Sequence, residues 1–301
     1  MGQKAAIVLF VYNRTWHTRQ TIDALLRNHQ VEQHDLIVFS DAARSHKQEA
    51  AVQDVRHYIS TLKGFRSVSI NYRTSNFGLA KSIVNGVAET LKSHDSVIVL
   101  EDDIITSPCF LNYMNDALTR FENDERVISI HGYVYPTNEK LPEAFFLKGA
   151  DCWGWATWKR GWDLFNPDGK ALLKGLESKK LIKEFDFNGA YPFSKMLKDQ
   201  IAGKNDSWAV RWYASAFLAN KLTLYPGRSL VHNIGNDNSG THCGDAKGFD
   251  SDLTLTPINC HDVVVEHYKD GYDVFERFLR KANTSVLIKV WRRLKMRLGV
   301  L

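Results

Sequence analysis

Apolar runs and helical patterns alternate along the first third of the chain. AAIVLFVY (5–12) is an almost unbroken apolar run, the pattern of a strand covered on both faces. Residues 15–28 follow with Ile22, Leu25 and Leu26 spaced for one helical face. DLIVFS (35–40) predicts a second strand, and Ser45 with Gln48 three positions on fits a capping box opening a helix that ends near Gly64. SVSINYR (67–73) alternates as a third strand, LAKSIVNGVAETLK (79–92) has the period of a third helix, and SVIVLED (96–102) is a fourth strand. Ser107-Pro108 then supplies an N-cap and an N1 proline for a helix through Phe121.

This alternation predicts an α/β fold with a mostly parallel sheet flanked by helices. Ligands of such sheets sit beyond the carboxyl ends of the strands. Polar residues gather at those ends: Asn13-Arg14 after strand one, Asp41 after strand two, Arg73 at strand three, and Glu101, Asp102 and Asp103 at strand four. Beyond residue 125 the pattern loosens. VISIHGYVY (127–135) predicts a strand, 145–168 is rich in aromatics and glycine, and 172–222 is mainly helical, most clearly over WAVRWYASAFLANK (208–221). LTLYPG (222–227) and SLVHN (229–233) read as short strands or turns, and 233–257 as a long glycine- and asparagine-rich loop or lid. The expected organisation is a ligand-binding half over 1–125, a second half of the same domain over 126–276, and a tail over 277–301.

Composition narrows the class. The 301 residues, 44% hydrophobic and 24% charged, suffice for one large α/β domain. No run approaches the ~20 apolar residues that span a bilayer, and the opening MGQKAAIVLFVYNR has no signal-peptide cleavage pattern. Cys109, Cys152, Cys243 and Cys260 form no CxxC pair, which argues against a disulfide framework or a cysteine-rich zinc site and fits a reducing cytoplasm. The net charge of +5 is uneven: eight of the 39 Lys and Arg, and none of the 34 Asp and Glu, lie in 277–301. The mildly acidic remainder argues against a nucleic-acid-binding body. In SVLIKVWRRLKMRLGVL (285–301), Leu287, Val290, Trp291, Leu294 and Leu298 share a helical face, with the basic residues mainly elsewhere. That is the pattern of a helix lying on an anionic membrane surface, or of a terminal helix docked on the body.

The chemistry centres on VIVLEDDI (97–104). Three adjacent carboxylates after a buried strand repel one another unless a cation, donors or water offset the charge. Mg²⁺ and Mn²⁺ favour carboxylate oxygens and share their shells with substrate phosphates. The plain alternative is a polar turn capping the next helix. In ADCWGWATWKRGW (150–162), Trp155, Trp158 and Trp162 fit one buried helix face, which leaves Trp153 and Asp151 as site candidates. HNIGNDNSGTHC (232–243) suits a loop closing over a diphosphate, with His232 or His242 able to complete a metal shell or bond phosphate.

VIVLEDDI-x-x-S-P-x-F resembles the DxD-type segment of GT-A-fold glycosyltransferases. In style it is similar to the Golgi N-acetylglucosaminyltransferase that initiates complex N-glycans and to bacterial family-two-like sugar transferases. FVYNR followed by a helix resembles their nucleotide-contacting first strand, FSDAARS their second-strand segment, and NYRTSNFGLAKSIVNGV the stretch leading to the metal motif. The resemblance covers roughly residues 5–125, is looser over 145–245 and stops there.

The resemblance implies a GT-A fold and an inverting, metal-dependent transferase for a nucleotide-diphosphate sugar, UDP-sugar first and UDP-GlcNAc by family analogy. It implies a glycan or lipid-linked acceptor, in bacterial surface-polysaccharide or glycolipid synthesis, at the inner face of the cell membrane. Asp103 becomes the Mn²⁺ or Mg²⁺ ligand, Asp102 a contact to ribose or the metal shell, and Glu101 an orienting group. Arg14 and Asp41 fall at the nucleotide, Arg73 at base or phosphates, and Trp153 near donor sugar or acceptor. Asp206, just before a Trp-containing helix, takes the place of the general base, unless Ser207 occupies it and Asp206 is an N-cap. The triplet is Glu-Asp-Asp rather than a spaced Asp-x-Asp, so one or two carboxylates touch metal. A nucleotidyltransferase would open with a glycine-rich phosphate loop, and FVYNRTWHT has no glycine. A non-catalytic carbohydrate-binding protein would give the triplet no role.

Overall fold

A computed structural model describes residues 4–235, 237 and 247–297. The first strands and helices are β1 (Ala6–Val11), α1 (Thr15–Leu26), β2 (Asp35–Ser40), α2 (His46–Ser60), β3 (Ser67–Tyr72), α3 (Leu79–Thr90) and β4 (Ser96–Glu101). Then come β5 (Ile104–Thr106), α4 (Phe110–Arg120), β6 (Val127–His131), β7 (Ala144–Lys148), β8 (Trp155–Trp158) and α5 (Lys159–Trp162). The rest are α6 (Gly169–Ser178), α7 (Ile182–Phe185), α8 (Phe193–Ile201), α9 (Trp208–Leu218), β9 (Leu222–Pro226), β10 (Val231–Asn233) and α10 (Lys269–Arg297).

Eight strands join in the order β3-β2-β1-β4-β8-β6-β9-β7. β3, β2, β1 and β4 are mutually parallel, β8 runs antiparallel to β4 and β6, β6 and β9 are parallel, and β7 is antiparallel to β9. The fold is therefore α/β with a mostly parallel central sheet. β1 is buried along its whole length because helices cover both faces. Ile7 and Leu9 pack with Ile22 and Leu25 of α1 and Val55 of α2. Val8 and Phe10 pack on the other side with Ile83 and Val87 of α3 and Trp212 of α9. Edge strand β3 keeps one face towards solvent, as its alternation requires. A second core joins Phe145, Leu172, Leu176, Leu197, Phe217, Phe275 and Leu279, tying α10 to the helices of the second half.

Several boundaries differ from the sequence reading for local reasons. Helix α2 starts after Ser45 as expected, but the capping box does not form. The Gln48 side chain instead accepts from the Tyr12 hydroxyl at 2.7 Å, and the helix stops at Ser60 before a turn in which Gly64 takes φ +99°. Ser107 initiates a turn rather than the helix itself: its hydroxyl accepts from the Cys109 amide at 3.2 Å, and the helix begins at Phe110. Trp155, Trp158 and Trp162 do not share a helix face. Trp155 and Trp158 lie in strand β8, three positions apart and so on opposite faces, and Trp162 follows in the one-turn helix α5. All three are buried, with Trp162 5.6 Å from Trp155 between ring centroids. β5 and β10 form a separate antiparallel ribbon: β10 lies within SLVHN (229–233), which reads as a short strand or turn, whereas β5 is unexpected, because three residues are too few to show a period. α10 runs unbroken through residue 277, and among the described residues no helix is long and apolar enough to cross a membrane.

Candidate functional site

The acidic triplet sits where apolar strand β4 leaves the sheet. Strand alternation directs Ile98 and Leu100 to one core and Val97 and Val99 to the other, so Glu101 follows the second face. Asp102 and Asp103 then turn towards the carboxyl end of β1. There a single nitrogen of Arg14, three residues beyond β1, reaches both carboxylates: it donates to Asp102 Oδ1 and, at 2.6 Å, to Asp103 Oδ2. The Arg14 side chain is 18% exposed and those of Asp102 and Asp103 7% and 13%, so the clamp is largely desolvated. Burial alone would lower the Arg14 pKa, but the two carboxylates outweigh it and hold the guanidinium charged. Asp102 is pushed above its ordinary value by burial, which the attraction of Arg14 only partly offsets. Glu101 is raised by burial and then by Asp103 and Asp102.

Backbone packing fixes this arrangement. The Thr21 hydroxyl of α1 donates to the Asp102 carbonyl at 2.9 Å. The β5–β10 ribbon pairs Asn233 with Ile104 and brings the following chain across Asp103. A Cβ on Gly235 would lie 2.1 Å from Asp103 Oδ2, so any side chain there would have to displace the Asp103 carboxylate or the crossing chain. Sequence reasoning marked the glycines of this loop but missed Thr21, Gly235 and His17 as neighbours of the motif. Their signal is a tertiary contact between distant segments.

The ends of β2 and β3 form the adjoining surface. Asp41 is buried, and its carboxylate accepts from the amides of Ala42, Phe77 and Gly78 and from Asn76 Nδ2, at 2.9–3.1 Å. It thereby tethers the segment that opens α3. Replacing Asp41 with alanine is expected to lower stability by about 2–3 kcal/mol, because those buried donors lose a charged acceptor. Urea denaturation at neutral pH measures the change. Arg73 lies between the Phe39 and Phe77 rings, at 5.0 and 4.9 Å from their centroids, and bonds Glu89 at 3.2 Å.

The aromatic segment borders the triplet from β8. The charges of Asp151, Glu101 and Asp103 all act on the Cys152 thiol, which burial first pushes well up. Trp153 donates its amide to His131 Nε2 at 3.1 Å, and its ring packs edge-on against Tyr133 at 4.7 Å. Asp151 Oδ1 accepts from the Cys152 amide at 2.8 Å and stands 3.9 Å from His131 Nε2. Asp206 is 71% exposed and pairs with Arg211 at 3.2 Å. The N-cap of α9 is Ser207, whose hydroxyl accepts from the Val210 amide, so Asp206 is not the cap. His232 lies on β10 opposite Ile105, with Nδ1 3.1 Å from the Ser251 carbonyl. His242 lies outside the described residues.

The donors present fit a hard divalent cation. Asp102 Oδ2 is buried with no hydrogen-bond partner, and Asp103 shares the same Arg14 nitrogen. Among the described residues no three His, Cys, Asp or Glu side chains converge to enclose an ion. Any cation held here would rest on one or two carboxylates and need oxygens from a ligand, as Mg²⁺ and Mn²⁺ sites with phosphates do.

Neither a protein-family model nor a curated protein matches the chain. Similar solved structures include S. aureus TarS residues 1–349 in complex with UDP-GlcNAc, at 12% identity and a TM-score of 0.36. That alignment covers 58% of this chain and 47% of that one. The mannosyltransferase PcManGT from Pyrobaculum calidifontis, in complex with GDP-Man and Mn²⁺, is 11% identical with a TM-score of 0.40, over 72% of this chain and 69% of that chain. A longer TarS structure matches over 48% of this chain at 13% identity and a TM-score of 0.32, and this chain spans only 24% of its length.

Proposed function

We propose that the protein is a metal-dependent glycosyltransferase that takes a sugar from a nucleotide-diphosphate donor, UDP-sugar as the first class, and passes it to a glycan or lipid-linked acceptor. The observation that carries this reading is the clamp of Arg14 on Asp102 and Asp103 at the carboxyl ends of β1 and β4, with an unpaired buried oxygen beside it. A polar turn would need neither the desolvated arginine nor the glycine crossing at Gly235. The resemblance of residues 5–125 to GT-A transferases supports the same reading.

In this reading Asp103, with Asp102, holds Mn²⁺ or Mg²⁺, which when bound stabilises charge on the departing diphosphate. Arg14 fixes both carboxylates and supplies a permanent positive charge beside the phosphates, and Glu101 orients the motif. Asp41 and Arg73 build the nucleotide side, Asp41 by tethering residues 76–78. Trp153 presents an aromatic face to a sugar ring. Asp206, open to solvent, deprotonates the acceptor hydroxyl for an inverting displacement. His242 is proposed to bond phosphate or complete the metal shell. Titration with UDP, with and without Mn²⁺, tests the reading: binding should require the ion, and binding indifferent to it would overturn the proposal.

The tail is proposed to hold this domain at the inner face of a membrane, where a lipid-linked acceptor resides. α10 is docked through Leu279 and the Asn283 bond to the Ala190 carbonyl, so the candidate anchor begins beyond 283. In flotation with anionic vesicles the full chain is expected to float and a chain ending at residue 283 to stay below. Equal flotation of both would refute the anchor.

A further inference from the structure

Beyond β10 the chain passes the acidic motif and meets helix α1. The Ile234 amide donates to the Asp103 carbonyl at 2.9 Å, and the Gly235 amide to Asn233 Oδ1 at 2.8 Å. Two residues later Asp237 Oδ2 lies 3.0 Å from His17 Nε2. The His17 side chain is 8% exposed against 44% for Asp237, so the helix side of this contact is fixed and the loop side is open. The Trp16 indole holds the imidazole edge-on at a centroid distance of 5.0 Å. Thr21, one turn after His17 and on the same face, bonds the Asp102 carbonyl. One face of α1 thus touches both the acidic motif and the chain that crosses it.

We propose that His17 and Asp237 form a positioning clasp that keeps residues 233–235 seated across Asp103. Neither residue reaches the reacting atoms; both act through Gly235 and Ile234. The Ile234 and Gly235 amides are bonded, and Gly235 has no side chain with which to grip. A contact at the far end of the crossing resists its lifting away. The consequence for turnover rests on the transferase reading: a loosened segment releases the donor diphosphate sooner, so donor KM rises while kcat changes less.

Hydrogen exchange at the Ile234 and Gly235 amides of the full chain, without ligand, tests the clasp directly. His17→Phe and Asp237→Ala should speed exchange about fivefold, the scale of one net hydrogen bond. Asp237→Asn, which keeps an acceptor for Nε2, should exchange like wild type. Asp237 is half exposed, so its replacement leaves the core intact even if His17→Phe disturbs folding. Unchanged exchange in Asp237→Ala overturns the clasp. Mn²⁺-dependent hydrolysis of UDP-GlcNAc should show a KM raised about threefold in Asp237→Ala and restored in Asp237→Asn. Faster exchange with an unchanged KM overturns the link to donor retention. A wild-type chain that neither binds UDP nor hydrolyses a nucleotide sugar overturns the transferase reading instead, and the exchange result still decides the clasp.

Discussion

Replacing Asp103 with alanine is expected to abolish Mn²⁺-dependent UDP binding and to slow turnover of a UDP-sugar by about a thousandfold. Loss of a cation that stabilises a departing diphosphate removes several kcal/mol of transition-state stabilisation, and each 1.36 kcal/mol is about tenfold in rate. The fold should survive. Asp103 is the more exposed of the two clamped carboxylates, and Arg14 keeps Asp102 as a partner when Asp103 is gone. Calorimetric titration with UDP in Mn²⁺ and in chelator, beside a thermal melt, separates loss of the ion from loss of structure. A variant that binds UDP as tightly as wild type with Mn²⁺ would remove the metal role from Asp103.

Replacing Arg14 with alanine is expected to act on the folded protein before any ligand is added. Two carboxylates that share one guanidinium nitrogen would be left buried without a positive partner. Removing one side of a desolvated ion pair destabilises by about 3 kcal/mol, because the remaining charges keep their desolvation cost and lose the attraction. Mn²⁺ should restore part of this loss, since the ion meets the same oxygens, and should stabilise Arg14→Ala more than wild type. Denaturant unfolding with and without Mn²⁺ measures both terms. Equal stabilisation of the two proteins by Mn²⁺ would show that the ion and Arg14 do not address the same carboxylates.

The two halves of the molecule differ in how legible they were. β1, β2, β3 and β4 each carry enough apolar residues to announce a strand, and the first three are each followed by a helix with its own period. In the second half, β8 is four residues long, a tryptophan at each end with Ala156 and Thr157 between, a pattern too short to tell a strand from a buried helix face. Its pairing with β4 and β6 decided the matter, because only a strand could fill the gap between them. Asp206 shows the same limit at the site. The sequence marks an acid before a helix, while the cap geometry of Ser207 and the pairing with Arg211 come from the folded chain.

By itself the sequence determined the mostly parallel half of the sheet, the position of the triplet at the end of its fourth strand, and the basic character of the tail. Those properties follow from local periodicity and composition, which each segment carries alone. Only the tertiary structure decided which groups meet the triplet. Arg14, Thr21, His17 and Gly235 come from segments 80 or more residues away from it, or from a ribbon of three-residue strands. Their approach is dictated by sheet order and helix packing, which no periodicity encodes.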